Sequence, residues 1–335
     1  MYLEHFGFER HPFRMAPEED FLYMSRQHSR AFVFMDSAVW SPEGFVVISG
    51  EIGSGKTTLL KKMITDIKEE VKLFHIAYTN LKGDDLFQII MQQAGIRAAD
   101  KNKISMLFAI NEHLKSLSAK GIPVLLAIDE AQNLTHENLE DIRMLAGMEG
   151  PHGPILRVIL LGQPELKNSI AQIPQLAQRV KLFFHLEGLS AEDTQHYILH
   201  RLTVAGYKNT NLFTEPVISV IHQNSTGIPR LINKISDGLL LCAYAEDRLQ
   251  LQVSDIEEIR NELLVSIDDI PSKPGFKRQN SKQQTNAAPV SSDALARIAS
   301  ALESIDDKLS LFMDDNPNKK IKIFEEARKR IKQER

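Results

Sequence analysis

Between residues 45 and 186 the chain alternates short apolar runs with amphipathic stretches. The runs at 45–49, 72–78, 124–128, 157–161 and 181–185 predict strands. Apolar residues spaced three and four apart predict helices over 56–70, 83–94, 104–119 and 136–146. Val124-Leu125-Leu126-Ala127-Ile128 is apolar throughout, as a strand covered on both faces must be. The alternation predicts an α/β unit, a parallel sheet with helices on both sides. From 190 to about 264 the pattern is helical only. Ser190 with Asp193 offers a capping box, and Thr214-Glu215-Pro216 a second helix start. Gly227-Ile228-Pro229 marks a break after which Arg230 opens a third helix, and Ser254-Asp255 opens a fourth.

The two ends read differently. Phe6, Phe8, Phe13, Phe21, Tyr23, Phe32 and Phe34 crowd the first 44 residues, and Pro12 and Pro17 keep the first half irregular. A helix is expected from near Ser25 to about Val39. Residues 266–292 are polar, without apolar periodicity, and read as a linker. Beyond them Leu295, Ile298, Leu302, Ile305, Leu309 and Phe312 form a short heptad-like stripe. Self-association, docking on the body of the chain and binding of a partner helix all remain open for it. Lys319 to Arg335 carries eight basic and three acidic residues. It reads as a solvated tail, with contact to an acidic lipid surface or nucleic acid as the alternative.

Composition narrows this picture. The 335 residues carry a formal net charge of −4, which argues against a protein that coats nucleic acid nonspecifically, though not against a local basic patch. Cys242 is the single cysteine, so an intramolecular disulfide and a cysteine-based metal site are excluded, and a buried small hydrophobe in a reducing compartment is expected. The N-terminus lacks a signal-peptide pattern, and no apolar stretch reaches the length of a membrane span. A cytoplasmic location follows as an expectation, with peripheral contact at the inner membrane through the basic tail.

Candidate chemistry begins at Gly50-Glu51-Ile52-Gly53-Ser54-Gly55-Lys56-Thr57-Thr58. It matches the phosphate-loop pattern, between a predicted strand and a predicted helix. Backbone N–H groups and the helix N-terminus would cradle a polyphosphate. Lys56 would reach the β- and γ-phosphates of ATP, and Thr57 would place its hydroxyl on Mg²⁺. A second motif, Ile128-Asp129-Glu130, ends an apolar strand in two carboxylates. Asp129 would help hold the ion through its water shell, and Glu130 would orient or deprotonate the attacking water. Gln163 would face the γ-phosphate if its strand lies between the first and third. Arg179 could reach a neighbouring subunit's nucleotide as an arginine finger, and Arg230 could close the helical bundle over the phosphates. One or two residues near Tyr23–His28 are candidates to line an adenine pocket.

The strand between the two motifs and the helical bundle after them resemble the additional-strand P-loop ATPases of the AAA+ superfamily. Finer motifs resemble the general-secretion-pathway protein A (ExeA-type) family. These are Tyr2-Leu3-Glu4-His5-Phe6-Gly7-Phe8, Pro12-Phe13, Pro17, Phe21-Leu22-Tyr23, the phosphate loop, Ile128 to Leu134, Leu161 to Leu166, Gln178-Arg179 and Gly227 to Arg230. The match covers roughly residues 1–264. The resemblance implies strand order 5-1-4-3-2 and makes Gln163 the sensor 1 position, Arg179 the finger and Arg230 the sensor 2 position. The implied organisation is an aromatic segment packing on the ATPase core (1–44), an ATPase domain (45–189), a helical lid (190–265), a linker (266–292) and a heptad-like helix with basic tail (293–335). The implied function is an oligomeric ATPase, a ring or filament, hydrolysing ATP to assemble envelope machinery: a pilus, secretion system or exopolysaccharide exporter. Longer family members continue into a transmembrane helix and a periplasmic peptidoglycan-binding domain; the polar linker, stripe and basic tail found here depart from that. The alternative is a DNA-transposition regulatory ATPase of the Tn7/Mu accessory type, with DNA as partner.

Overall fold

A computed structural model of the chain describes residues 2–259 apart from 17, 42–43, 68–69, 78–79, 101, 151–152, 210 and 257–258. The linker, heptad stripe and basic tail read from the sequence lie outside the described residues.

The sheet has five strands: β1 Phe45–Gly50, β2 Lys72–Ile76, β3 Val124–Ile128, β4 Leu156–Gly162 and β5 Leu182–Leu186. They lie parallel in the order β2-β3-β4-β1-β5, the 5-1-4-3-2 arrangement of the additional-strand class. Every residue of β1 and β3 is buried, whereas the edge strands β2 and β5 are half-exposed. Side chains alternate between two cores. Val47, Leu126, Val158 and Leu160 face one side, beneath helices α4 Asp85–Ala94, α5 Lys103–Ala119 and α6 His136–Ala146. Val46, Leu125, Ala127 and Ile159 face the other, beneath α2 Arg26–Trp40 and α3 Lys56–Ile67. The exposed edge at β2 is closed by a side chain: Gln93 donates to the His75 carbonyl (2.8 Å) and accepts from the His75 N–H (3.0 Å). That pairing uses hydrogen bonds another strand would otherwise take.

Local signals set the helix starts. Ser25, Asn102, Thr135 and Ser190 each accept a backbone N–H at an N-cap, and Thr135 with Asn138 forms a full capping box. Two short helices, α7 Glu165–Ala171 and α8 Pro174–Ala177, bridge β4 to β5. After the sheet come α9 Ala191–Val204, α10 Glu215–Ser225 and α11 Pro229–Ala245. Residues 254–256 then start another helical turn.

One expectation needs correction. The first aromatics do not cover the sheet. Tyr2, Phe6, Phe8, Phe13 and Phe21 are buried in the bundle's own core, with Tyr197, Leu202, Phe213, Ile232 and Leu239. Phe13 meets Phe213 edge to face at 5.4 Å, and the Tyr2 hydroxyl, at the start of the short helix α1 Tyr2–Phe6, donates to Asp237 (2.7 Å). A three-helix bundle this small has too little apolar surface of its own, and the aromatics supply a further layer. Only Arg26–Trp40 covers the sheet. Cys242 is half-buried against the bundle core rather than fully enclosed.

Arg201 fastens the N-terminal segment to the bundle. It is 5% exposed. Its guanidinium donates to the Pro12 carbonyl, the Arg14 carbonyl (3.1 Å) and the Tyr197 hydroxyl (3.0 Å), and lies 4.6 Å over the Phe21 ring.

Candidate functional site

The phosphate loop spans the turn from β1 into α3. Gly53 and Gly55 have φ of +83° and +100°, a region L side chains avoid. The glycines also make room for neighbours. A Cβ on Gly53 would lie 2.3 Å from Arg230 Cβ, and one on Gly55 would lie 2.8 Å from His28 Nε2. The loop is therefore clasped by α11 on one side and by α2 on the other.

Lys56 is 6% exposed. Its ammonium donates to the Gly50 carbonyl (2.7 Å), the Glu51 carbonyl (2.9 Å) and Ser54 Oγ (3.4 Å). Burial pushes its pKa down, and the carboxylates of Glu130, Asp129 and Glu51 pull it back up. An anionic phosphate in the loop would satisfy this buried cation better than neutral carbonyls do.

β3 delivers the carboxylates. Asp129 is buried, its N–H donating to the Ile76 carbonyl (2.9 Å) and its Oδ1 accepting the Glu130 N–H (2.9 Å). Glu130 has left-handed backbone, φ +50°, a costly conformation for a residue with a Cβ and one typical of functional turns. Gln163 follows β4, next to β3 in the sheet.

These residues meet at one cavity of about 340 Å³. Ile52, Gly53, Gly55, Lys56, Thr57 and Thr58 form its floor, Glu130 and Gln163 one wall, and Arg230 the roof. The Arg230 N–H, at the start of α11, donates to the Gly53 carbonyl (3.2 Å). Asp129 sits behind the wall, and Gly50 and Ser54 lie beneath the loop; none of the three lines the cavity. Phe21, Leu22, Tyr23 and His28 line it as well, with Tyr197 and Asn233 from the bundle.

Arg179 is elsewhere. It lines a separate hollow with Gly44 and Phe45, at the opposite end of β1, and donates to the Ala146 carbonyl (3.2 Å). Phe45 and Gly50 are the two ends of a six-residue strand, roughly 16 Å apart at strand rise. Within one chain Arg179 is thus far from the phosphate loop.

The sequence points to the Tyr23–His28 stretch and to the break at Gly227, but not to the contacts that His28, Gln132, Gly188 and Gly227 make. His28 is 3% exposed and bridges Ser25 Oγ (2.7 Å) and the Ser54 carbonyl (3.0 Å). A carbonyl only accepts, so Nε2 carries the proton, and burial lowers the ring's pKa so that it stays neutral. Gln132 donates to Glu130 Oε2 (2.7 Å) and accepts the Gln163 N–H (2.9 Å). Gly188 and Gly227 let the chain cross itself where the sheet joins the bundle: added Cβ atoms would lie 2.2 Å from the Thr226 carbonyl oxygen and 2.0 Å from that of Leu189.

Among the described residues no group of three His, Cys, Asp or Glu could hold a metal ion. The donor types present, the Thr57 hydroxyl at the phosphate loop and the Asp129 carboxylate after β3, suit a hard cation that keeps its waters and borrows phosphate oxygens. No helix among the described residues is long and apolar enough to cross a membrane.

Comparison with known proteins agrees with this geometry. Residues 39–170 match the AAA domain family. The chain is 34% identical over 259 residues to general secretion pathway protein A of Aeromonas hydrophila, covering 76% of this chain and 47% of that protein. The chain thus spans about half the length of that curated relative. Among solved structures it is similar to Cdc6p from Pyrobaculum aerophilum (TM-score 0.57, 14% identity, 75% of this chain and 70% of that one). It is also similar to the Aeropyrum pernix ORC2 protein in ADPNP–ADP complexes (TM-score 0.55, 16% identity, 76% and 71%). At such identities these likenesses speak for the fold alone. The AAA-domain match spans the phosphate loop, Asp129-Glu130 and Gln163.

Proposed function

Because the chain carries an AAA domain and resembles a general secretion pathway protein A, we propose that it hydrolyses ATP at this cavity and uses the cycle to assemble or regulate envelope machinery. The observation that carries the hydrolytic reading is the convergence of Lys56, Thr57, Glu130, Gln163 and Arg230 on one cavity. Phosphoryl transfer asks a protein for positioning and charge neutralisation more than for covalent chemistry. Lys56 and the loop N–H groups hold the β- and γ-phosphates. Thr57 and Asp129 would hold Mg²⁺, which neutralises phosphate charge when bound. Glu130 orients the attacking water and takes its proton, Gln163 reads the γ-phosphate, and Arg230 brings the bundle down on it. Phe21, Tyr23 and Tyr197 give the cavity aromatic lining suited to a base.

Arg179, remote from its own phosphate loop, serves a neighbour's site in this reading. That requires a homo-oligomer, ring or filament, with each active site shared between subunits. Movement of the bundle about Gly188 and Gly227 carries the nucleotide state to partners. The identity to a secretion-pathway protein favours a pilus, secretion or exopolysaccharide apparatus as the output, worked from the cytoplasmic side. A peripheral membrane contact through the basic tail fits the same reading.

The test is ATP turnover by the full chain. Lys56→Met should lose nucleotide binding and turnover together; binding at the wild-type affinity would overturn the site assignment. DNA-stimulated turnover with steep salt dependence would replace the envelope reading with the transposition one.

A further inference from the structure

We infer that Gln132 is a positioning residue that aims the Glu130 carboxylate and couples it to the strand end carrying Gln163. The inference rests on the hydrolytic reading above. Its basis is a single side-chain amide used at both ends. Gln132 Nε2 donates to Glu130 Oε2 at 2.7 Å, and Gln132 Oε1 accepts the Gln163 N–H at 2.9 Å. The polarity is forced: a carboxylate only accepts and a backbone N–H only donates. The amide can therefore face only one way, and no carboxylate, hydroxyl or alkyl group can do both jobs with the same shape.

Two further features indicate that this bridge is built rather than incidental. Gly162, just before Gln163, leaves the space the amide occupies: a Cβ there would lie 3.0 Å from Gln132 Oε1 and 3.2 Å from Gln132 N. Glu130 sits in left-handed backbone, φ +50°, so its side chain leaves the main chain in an unusual direction and gains from an external tether. The Glu130 N–H is fixed by Asp129 Oδ1 (2.9 Å). The backbone of Glu130 is thus fixed to Asp129 while its carboxylate is tied to Gln132. A shift of Gln163 on meeting the γ-phosphate pulls on Gln132 and so re-aims the carboxylate. This links sensing of the phosphate to activation of the water.

The experiment compares wild type, Gln132→Ala, Gln132→Glu, Glu130→Gln and the double variant Gln132→Ala/Glu130→Gln as full chains. Affinity is measured with a fluorescent ATP analogue, turnover by phosphate release, and folding by thermal melting. Gln132→Glu keeps the volume and the acceptor for Gln163 but loses the donor, so it separates aiming from packing. Both single Gln132 variants should keep affinity within about threefold and lose turnover on the order of 10- to 100-fold, as expected when a reacting group is misplaced by about an ångström. The double variant should be no slower than Glu130→Gln alone. Wild-type turnover in both Gln132 variants, or turnover lost only in proportion to melting temperature and affinity, overturns the inference. So does an additive loss in the double variant. If Glu130→Gln itself turns over at the wild-type rate, the hydrolytic reading fails; if it is slow while the Gln132 variants are fast, the inference alone fails.

Discussion

Replacing Arg201 tests whether the N-terminal segment is part of the bundle and of the nucleotide cavity. Arg201→Met keeps much of the apolar stem and removes the guanidinium. The carbonyls of Pro12 and Arg14 and the Tyr197 hydroxyl lose their donors, and Phe21 loses the cation 4.6 Å above its ring. Each buried carbonyl left without a partner costs about 1–3 kcal/mol, and the cation–π contact adds about 0.5–2 kcal/mol. Water entering at Arg14 recovers part of this, leaving a net loss of about 3 kcal/mol. In a domain of this size that lowers the melting temperature by roughly 6–12 °C. Arg14, Phe21 and Tyr23 of the same segment line the cavity, as does Arg201 itself, so nucleotide affinity should fall on the order of tenfold, about 1.4 kcal/mol. Thermal melting followed by circular dichroism and titration with a fluorescent nucleotide read the two effects. Lys62→Met removes an exposed helical pair with Asp66 and a cation 5.8 Å from the Phe32 ring, and should cost about 1 kcal/mol. If Arg201→Met melts and binds no worse than Lys62→Met, the segment is not anchored as described.

Further outcomes follow from the same geometry. Gly53→Ala forces a side chain into φ +83° and into Arg230; it should weaken nucleotide binding at least tenfold and lower the melting temperature by about 2–4 °C or more. His28 has its pKa lowered from 6.5 by burial, so the unfolded chain takes its proton more readily. Its stabilisation is complete above about pH 6.5 and is lost as pH falls through the folded value. His28→Gln should flatten the fall in melting temperature on acidification, without abolishing it, because burial also lowers His75, His113 and His200. Arg179→Ala should bind nucleotide normally and lose turnover on the order of 100-fold. Mixed with an equal amount of Glu130→Gln it should recover about a quarter of wild-type activity, the share of randomly paired interfaces with both groups intact. No recovery in verified mixed oligomers would remove Arg179 from the site.

Much of this molecule was legible from the chain itself. The fully apolar run of β3 and the mostly apolar runs of β1 and β4 predict central parallel strands because few polar side chains can sit between two helical layers. The phosphate loop and Asp129-Glu130 are legible because backbone cradling and strand-end carboxylates need fixed residue types at fixed spacing. What escaped is what depends on tertiary choice. Apolarity shows that Phe6, Phe8 and Phe13 are buried, yet not in which of two cores, and they enter the bundle. Arg201 is a charge within an amphipathic helix pattern, and only the chain reversal at Pro12–Arg14 gives it carbonyls to bind. His28 lies far in sequence from the loop it clasps. Gln132 is two residues from Glu130, but its role depends on β4 arriving beside β3. Helices α7 and α8 are too short to show a period.

The central claim is that Glu130 activates water at an ATP site built on Lys56. Its most direct test is single-turnover ATP cleavage by Glu130→Gln, with affinity measured on the same sample. Wild-type affinity with cleavage slowed on the order of 100-fold or more is the expected result. Cleavage at the wild-type rate, with ATP equally well bound, would contradict it.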